Sequence, residues 1–65
     1  MFIEVNDEAT DFVIIIALDQ IATVEKNPHN FDITIITLKD GREIRTPDSI
    51  RTISARIELA TRGER

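Results

Sequence analysis

The stretch Phe31-Asp32-Ile33-Thr34-Ile35-Ile36-Thr37-Leu38-Lys39-Asp40-Gly41-Arg42-Glu43-Ile44-Arg45-Thr46-Pro47-Asp48-Ser49-Ile50 decides the fold. Its first eight residues are rich in β-branched side chains, which fit a pleated, half-buried surface. Asp40-Gly41 between two apolar runs marks a tight hairpin, because glycine supplies φ > 0 at no steric cost. Glu43-Ile44-Arg45 then reads as the returning strand, with Ile44 inward and the charges outward. At Thr46-Pro47-Asp48-Ser49 the apolar period changes. Thr46 is a good N-cap, Pro47 suits the first helical position, and Asp48 complements the positive end of a helix dipole. Ile50, Ile53, Ile57 and Ala60 follow at helical spacing and span about 80° of one helix face.

Working outward, twelve isoleucines against three leucines make a sheet the prior for the rest of the chain. Phe2-Ile3-Glu4-Val5 reads as a first strand and Asn6 to Asp11 as an acidic turn. Phe12-Val13-Ile14-Ile15-Ile16-Ala17 is apolar on both faces, with Phe12, Ile14 and Ile16 on one side and Val13, Ile15 and Ala17 on the other. Asp19-Gln20 is a short break before a third strand. Asn27-Pro28-His29-Asn30 is a turn, since proline cannot donate to a ladder and asparagine tolerates left-handed backbone. In the fourth strand Phe31, Ile33 and Ile35 oppose Asp32, Thr34, Ile36 and Leu38. Gly63 closes the helix, and Arg62 and Arg65 suit its negative pole.

These readings predict one α+β domain over residues 1–65. It is an antiparallel β-meander of four or five strands followed by one C-terminal α-helix packed on one sheet face. The strands fall at about 2–5, 12–17, 21–26, 31–38 and 43–46, and the helix at about 47–62. Short connections favour antiparallel neighbours. The helix stripe is expected to cover the face carrying Phe12, Ile14, Ile33, Ile35 and Ile44.

Composition narrows the function. Sixty-five residues are too few for a doubly wound nucleotide-binding fold, a barrel or a two-domain enzyme. Without cysteine there is no disulfide framework and no thiolate metal site. The longest apolar run, Phe12 to Leu18, is far short of the ~18–20 residues of a membrane span and does not read as a signal peptide. A cytoplasmic chain with no membrane insertion is the expectation.

No catalytic, cofactor or metal constellation stands out. His29 with Asp32 is not a zinc set, and the loop of Asp7, Glu8 and Asp11 lacks the glycine and the ligand number of a calcium loop. Ser49 and Ser54 have no nucleophile elbow and no nearby histidine. Gly41 and Gly63 form no phosphate-binding loop. A cavity of about 300 Å³ or more is hard to carve from so small a monomer. The expectation is a non-enzyme that needs no cofactor.

The charges are uneven. Residues 1–40 carry a net −6 and residues 41–65 a net +2, with every arginine in the second part. One reading is an anion or nucleic-acid surface using Arg42, Arg45, Arg51, Arg56 and Arg62. Against it stand the overall charge of −4 and three aromatics, Phe2, Phe12 and Phe31, at least two of which read as core.

The stronger reading is self-association. If the helix covers one sheet face, Val13, Ile15, Ala17, Ile36 and Leu38 are left on the other, with Leu59 on the outer side of the helix. A core of this size rarely yields more than ~3–5 kcal/mol, so burial against another copy, as a dimer or higher oligomer, or against another protein, is the expected supplement.

The succession Leu18-Asp19-Gln20-Ile21-Ala22-Thr23-Val24-Glu25, then Ile33-Thr34-Ile35-Ile36-Thr37-Leu38-Lys39-Asp40-Gly41-Arg42-Glu43-Ile44, then a terminal helix, resembles the small FlbD-like proteins of bacterial flagellar operons. The resemblance covers about residues 12–57. The opening Glu4-Val5-Asn6-Asp7-Glu8 departs from the Leu-Asn-Gly turn of that family. The resemblance implies a non-enzymatic accessory protein, with no catalytic residue to carry over. A small bacterial or phage protein of another role fits the same residues.

Overall fold

A computed structural model describes residues 1–63; Arg65, assigned above to the helix end, lies outside the described residues. The elements are β1 (Phe2–Asp7), β2 (Phe12–Ala17), a 3-10 turn (Leu18–Gln20), β3 (Ile21–Asn27), β4 (Asn30–Leu38), β5 (Glu43–Thr46) and α1 (Ile50–Arg62). The α+β class and the chain order are as expected. The five strands, however, divide into two antiparallel sheets, β1-β2 and β3-β4-β5.

The 3-10 turn makes the division. It interrupts the chain between β2 and β3, and both of its ends are tied down: the Leu18 N–H donates to the Met1 carbonyl at 2.9 Å, and the Lys39 N–H donates to the Gln20 carbonyl at 2.8 Å. The sheets meet again where β1 lies beside β5, through the Glu8 N–H on the Arg45 carbonyl at 2.7 Å. One core fills the space between them. Ile3, Val5 and Ile16 come from the first sheet, Ile36 and Leu38 from the second, and Ile53 from α1, which packs on β1 and less extensively on β3.

The β4–β5 register overturns the expected sheet face. The loop holds three residues, Lys39 to Gly41, with the Gly41 N–H on the Leu38 carbonyl (3.0 Å) and the Leu38 N–H on the Arg42 carbonyl (2.8 Å). Gly41 sits at φ +95°, the left-handed position of a turn-plus-bulge hairpin. An odd loop pairs Ile36 with Ile44 and Thr34 with Thr46. A two-residue Asp40-Gly41 loop would instead have set Ile44 beside Ile33 and Ile35, because one residue of slip turns a strand over. The inner face of β4 is therefore Thr34, Ile36 and Leu38, while Ile33 and Ile35 are half-buried on the outside. Ile14 and Ile44 pack on the core as expected. Phe12 has inward parity but stands at the end of its strand, 71% exposed. In β3 a bulge between Ile21 and Thr23 lets both Ile21 and Val24 face the core.

The helix starts later than expected. Ser49 is its N-cap, with Oγ accepting from the Thr52 N–H at 3.1 Å. Thr46 stays in β5, fully buried opposite Thr34, and its hydroxyl accepts from the Asp48 N–H at 3.1 Å. Pro47 thus lies in the strand-to-helix turn. Gly63 ends the helix as expected, through its N–H on the Leu59 carbonyl, but in right-handed backbone.

Candidate interaction surface

A sheet edge exposes unpaired backbone donors and acceptors unless something covers it. On β1 the covering is explicit. Beyond the Glu8–Arg45 bond, the Asn6 N–H donates to Asp48 Oδ2 at 3.3 Å, and Arg56 Nη1 donates to the Glu4 carbonyl at 2.8 Å. The same Arg56 nitrogen donates to Asp48 Oδ2 at 2.8 Å, so one ion pair seals the strand from the helix side. Asp48 is only 14% exposed. Burial works to raise its pKa, but the Arg56 hydrogen bond, the Asn6 N–H, the Arg56 charge and the Thr46 hydroxyl together bring it below its ordinary value.

On β2 nothing comparable occurs. Val13, Ile15 and Ala17 stand opposite Asn6, Glu4 and Phe2. Directly opposed residues in an antiparallel ladder exchange both backbone bonds or neither. Since Glu4 and Asn6 spend their backbone groups on the far side of β1, Val13, Ile15 and Ala17 turn theirs to the free edge of β2. No described residue pairs with that edge.

The outer face of the same hairpin carries Phe2, Val13, Ile15 and Ala17 around Glu4 and Asn6, and Leu59 of α1 borders the same groove as Phe2 and Val13. Phe2, Val13, Ile15 and Leu59 are 60–65% exposed. They present on the order of 400–500 Å² of apolar side chain, the range of the largest patch on a typical monomer. A groove of about 410 Å³ runs over this face, with Phe2, Glu4, Asn6 and Val13 along it and Arg56 and Leu59 at its helix side. A second groove, about 530 Å³, continues past Phe2 to Met1, Ala17, Leu18 and Thr61. Both exceed the volume expected of so small a chain, and both are open clefts.

Of the residues expected at an interface, Val13, Ile15 and Leu59 are exposed and Ala17 is half-buried. Ile36 and Leu38 are corrections: they are 0% and 6% exposed, at the centre of the core, because the three-residue loop turned β4 over. The expectation of core phenylalanines is also corrected, since Phe2, Phe12 and Phe31 are all exposed; Lys26 Nζ lies 5.6 Å from the Phe31 ring centroid. Phe2 joins the patch unforeseen, because only the β1–β2 register puts it beside Ala17.

Of the five arginines considered for anion binding, four are ion-paired: Arg42 with Asp40 (2.9 Å), Arg45 with Glu43 (3.5 Å), Arg56 with Asp48 (2.8 Å) and Arg62 with Glu58 (3.0 Å). Arg51 is exposed on α1. The Arg42 backbone N–H, with its side chain, holds the Asp40 carboxyl below its ordinary pKa. The arginines are spread over a hairpin tip, the outer side of β5 and the helix. Among the described residues no three His, Asp or Glu side chains group to hold a metal ion, and no helix is long and apolar enough to cross a membrane.

No family model, curated protein or solved structure matches the chain.

Proposed function

We propose that this protein is a non-enzymatic interaction module that works as a homo-oligomer in the cytoplasm. The observation that carries the reading is the apolar surface that Phe2, Val13 and Ile15 of the β1–β2 hairpin and Leu59 of α1 leave open to solvent. It is about a tenth of a 4651 Å² surface, on a chain whose fully buried side chains number very few. Burial against a second copy supplies what a small core lacks. A twofold dimer is the commonest closed arrangement. An accessory role of the flagellar-operon kind is compatible with such a module. The arginines support anion binding less well, since their charge is mostly neutralised within the chain.

Light scattering across a dilution series tests the reading. A mass that rises with concentration, and that falls to the monomer in Ile15→Asp or Leu59→Asp with the circular dichroism spectrum retained, is the expected result. A strict monomer at millimolar concentration overturns it.

A further inference from the structure

Resting on the self-association reading, we propose that the contact is edge to edge: β2 of one copy pairs antiparallel with β2 of a second, joining two hairpins into one four-stranded sheet.

The two sheets have four outer edges, and three are protected. β5 lies beside β1 and carries Glu43 and Arg45. β1 is sealed by the Arg45 carbonyl and the Asp48–Arg56 pair. β3 carries a bulge near Ala22 and the charges Glu25 and Lys26, devices that discourage strand addition. β2 has neither. It is six residues long, unbulged against β1, and without charge or proline.

The partner is a second copy because the strand fits itself. A twofold axis pairs the strand with its own sequence reversed, so a strand carrying charge of one sign would meet like charge; Phe12-Val13-Ile14-Ile15-Ile16-Ala17 carries none. Centring the axis on Ile15 sets Ile15 opposite the second copy's Ile15 and Val13 opposite its Ala17. All three residues that turn backbone groups to the edge then pair, forming six hydrogen bonds by the rule of two per bonded pair. Shifting the axis to Ile14 would call on Asp11, whose φ of +63° takes it out of the strand. The Ile15 register also places the exposed Phe12 across from the partner's half-buried Leu18, and matches the larger Val13 to the smaller Ala17. Edge pairing of this length belongs with the smaller interfaces, below about 1,200 Å² in total, so the dimer should dissociate on dilution.

Cysteine cross-linking separates this geometry from face-to-face packing, and the cysteine-free chain makes it clean. Hydrogen-bonded antiparallel partners have Cα atoms about 5.5 Å apart, within disulfide reach, whereas stacked sheets lie about 10 Å apart, outside it. Ile15→Cys should form a disulfide dimer on mild oxidation. Val13→Cys and Ala17→Cys should each form little disulfide-linked dimer alone and cross-link when mixed. Ile15→Pro should keep its spectrum, since the Ile15 N–H serves no bond to β1, and should lose the dimer mass. A dimer that persists in Ile15→Pro, with no position-specific cross-linking, overturns edge pairing and leaves association through the apolar face standing. A wild-type chain that stays monomeric overturns both.

Discussion

The β1–β2 and β4–β5 hairpins are built alike and finished differently. Each joins its strands through a short loop with one left-handed residue, Asp11 in the first and Gly41 in the second. Each turns isoleucine outward. In the three-stranded sheet, Ile35 has Glu25 on one side and Arg45 on the other, and is half-buried. The alkyl parts of such long charged side chains cover apolar surface while their heads stay in water. In the two-stranded sheet, Ile15 has a flanking strand on one side only, where Glu4 stands, and is 65% exposed. An outward isoleucine is covered by two neighbours and left open by one. The difference lies in the number of strands, not in the strand's composition.

Removing one residue from β5 should have the largest effect. Deletion of Glu43 keeps the three-residue loop and its Leu38–Arg42 closure but sets Ile44 opposite Thr37 and Thr46 opposite Ile35, out of the core. Since the rest of β5 changes face at once, loss of the folded circular dichroism signal is expected. Glu43→Ala, which keeps the register, should melt close to the wild type. If the deletion folds normally, the β4–β5 register does not set which side chains of β5 enter the core.

The outward and inward isoleucines should separate next. Ile36 is fully buried between Val24 and Ile44. Its replacement by alanine should cost about 2–5 kcal/mol, most of the stability of so small a domain. Ile15→Ala, in dilute monomeric protein, should change stability by less than about 0.5 kcal/mol. Urea unfolding of the two variants checks the contrast, and equal losses would refute the assignment of faces.

This contrast also marks what was readable in the sequence. Strand positions, the 40–41 turn, the Ile50-Ile53-Ile57 stripe and the two-faced character of β2 follow from local periodicity and turn chemistry. Which face of β4 looked inward did not, because Asp-Gly serves loops of two or three residues and the choice depends on what the strands pack against. The split into two sheets was hidden for a related reason: a break at Asp19-Gln20 reads the same whether the next strand continues the sheet or leaves it. Val13, Ile15 and Leu59 were legible as surplus apolar surface. The sealing of β1 by Asp48 and Arg56 was not, since it joins residues 42 and 52 positions away from their β1 partners.

The covered edge of β1 gives the third test. Asp48→Asn should weaken the fold by roughly 1–2 kcal/mol, with solvent screening on the Arg56 side keeping it below the ~3 kcal/mol of a fully buried charged hydrogen bond. The loss should depend on pH. The Asp48 pKa is lowered in the folded chain from its ordinary 3.8, so its contribution is present above that value and disappears as pH falls through the lower, folded value. Wild type and Asp48→Asn should therefore converge in acid. A difference that stays constant from neutral pH down to strongly acidic conditions would show that Asp48 acts by packing alone.

The two left-handed residues give the finest comparison. An added Cβ at Gly41 would meet no atom within 4 Å, so Gly41→Ala isolates backbone conformation from packing. At φ +95° its expected cost is about 1 kcal/mol, the penalty of a side chain in left-handed backbone. Asp11 is already in that region at φ +63°, where a short polar side chain is tolerated. Its loop is held chiefly by the Asp11 N–H on the Asp7 carbonyl at 2.7 Å and the Ala9 N–H on Asp7 Oδ1 at 3.1 Å, and neither uses the Asp11 side chain. Asp11→Gly should therefore shift stability by no more than about 0.5 kcal/mol, with relief of strain set against the freedom glycine gains in the unfolded chain. Thermal melts of both variants decide the point. A large loss in Asp11→Gly would mean that the Asp11 side chain has a contact of its own, and that the first hairpin is held by more than its loop backbone.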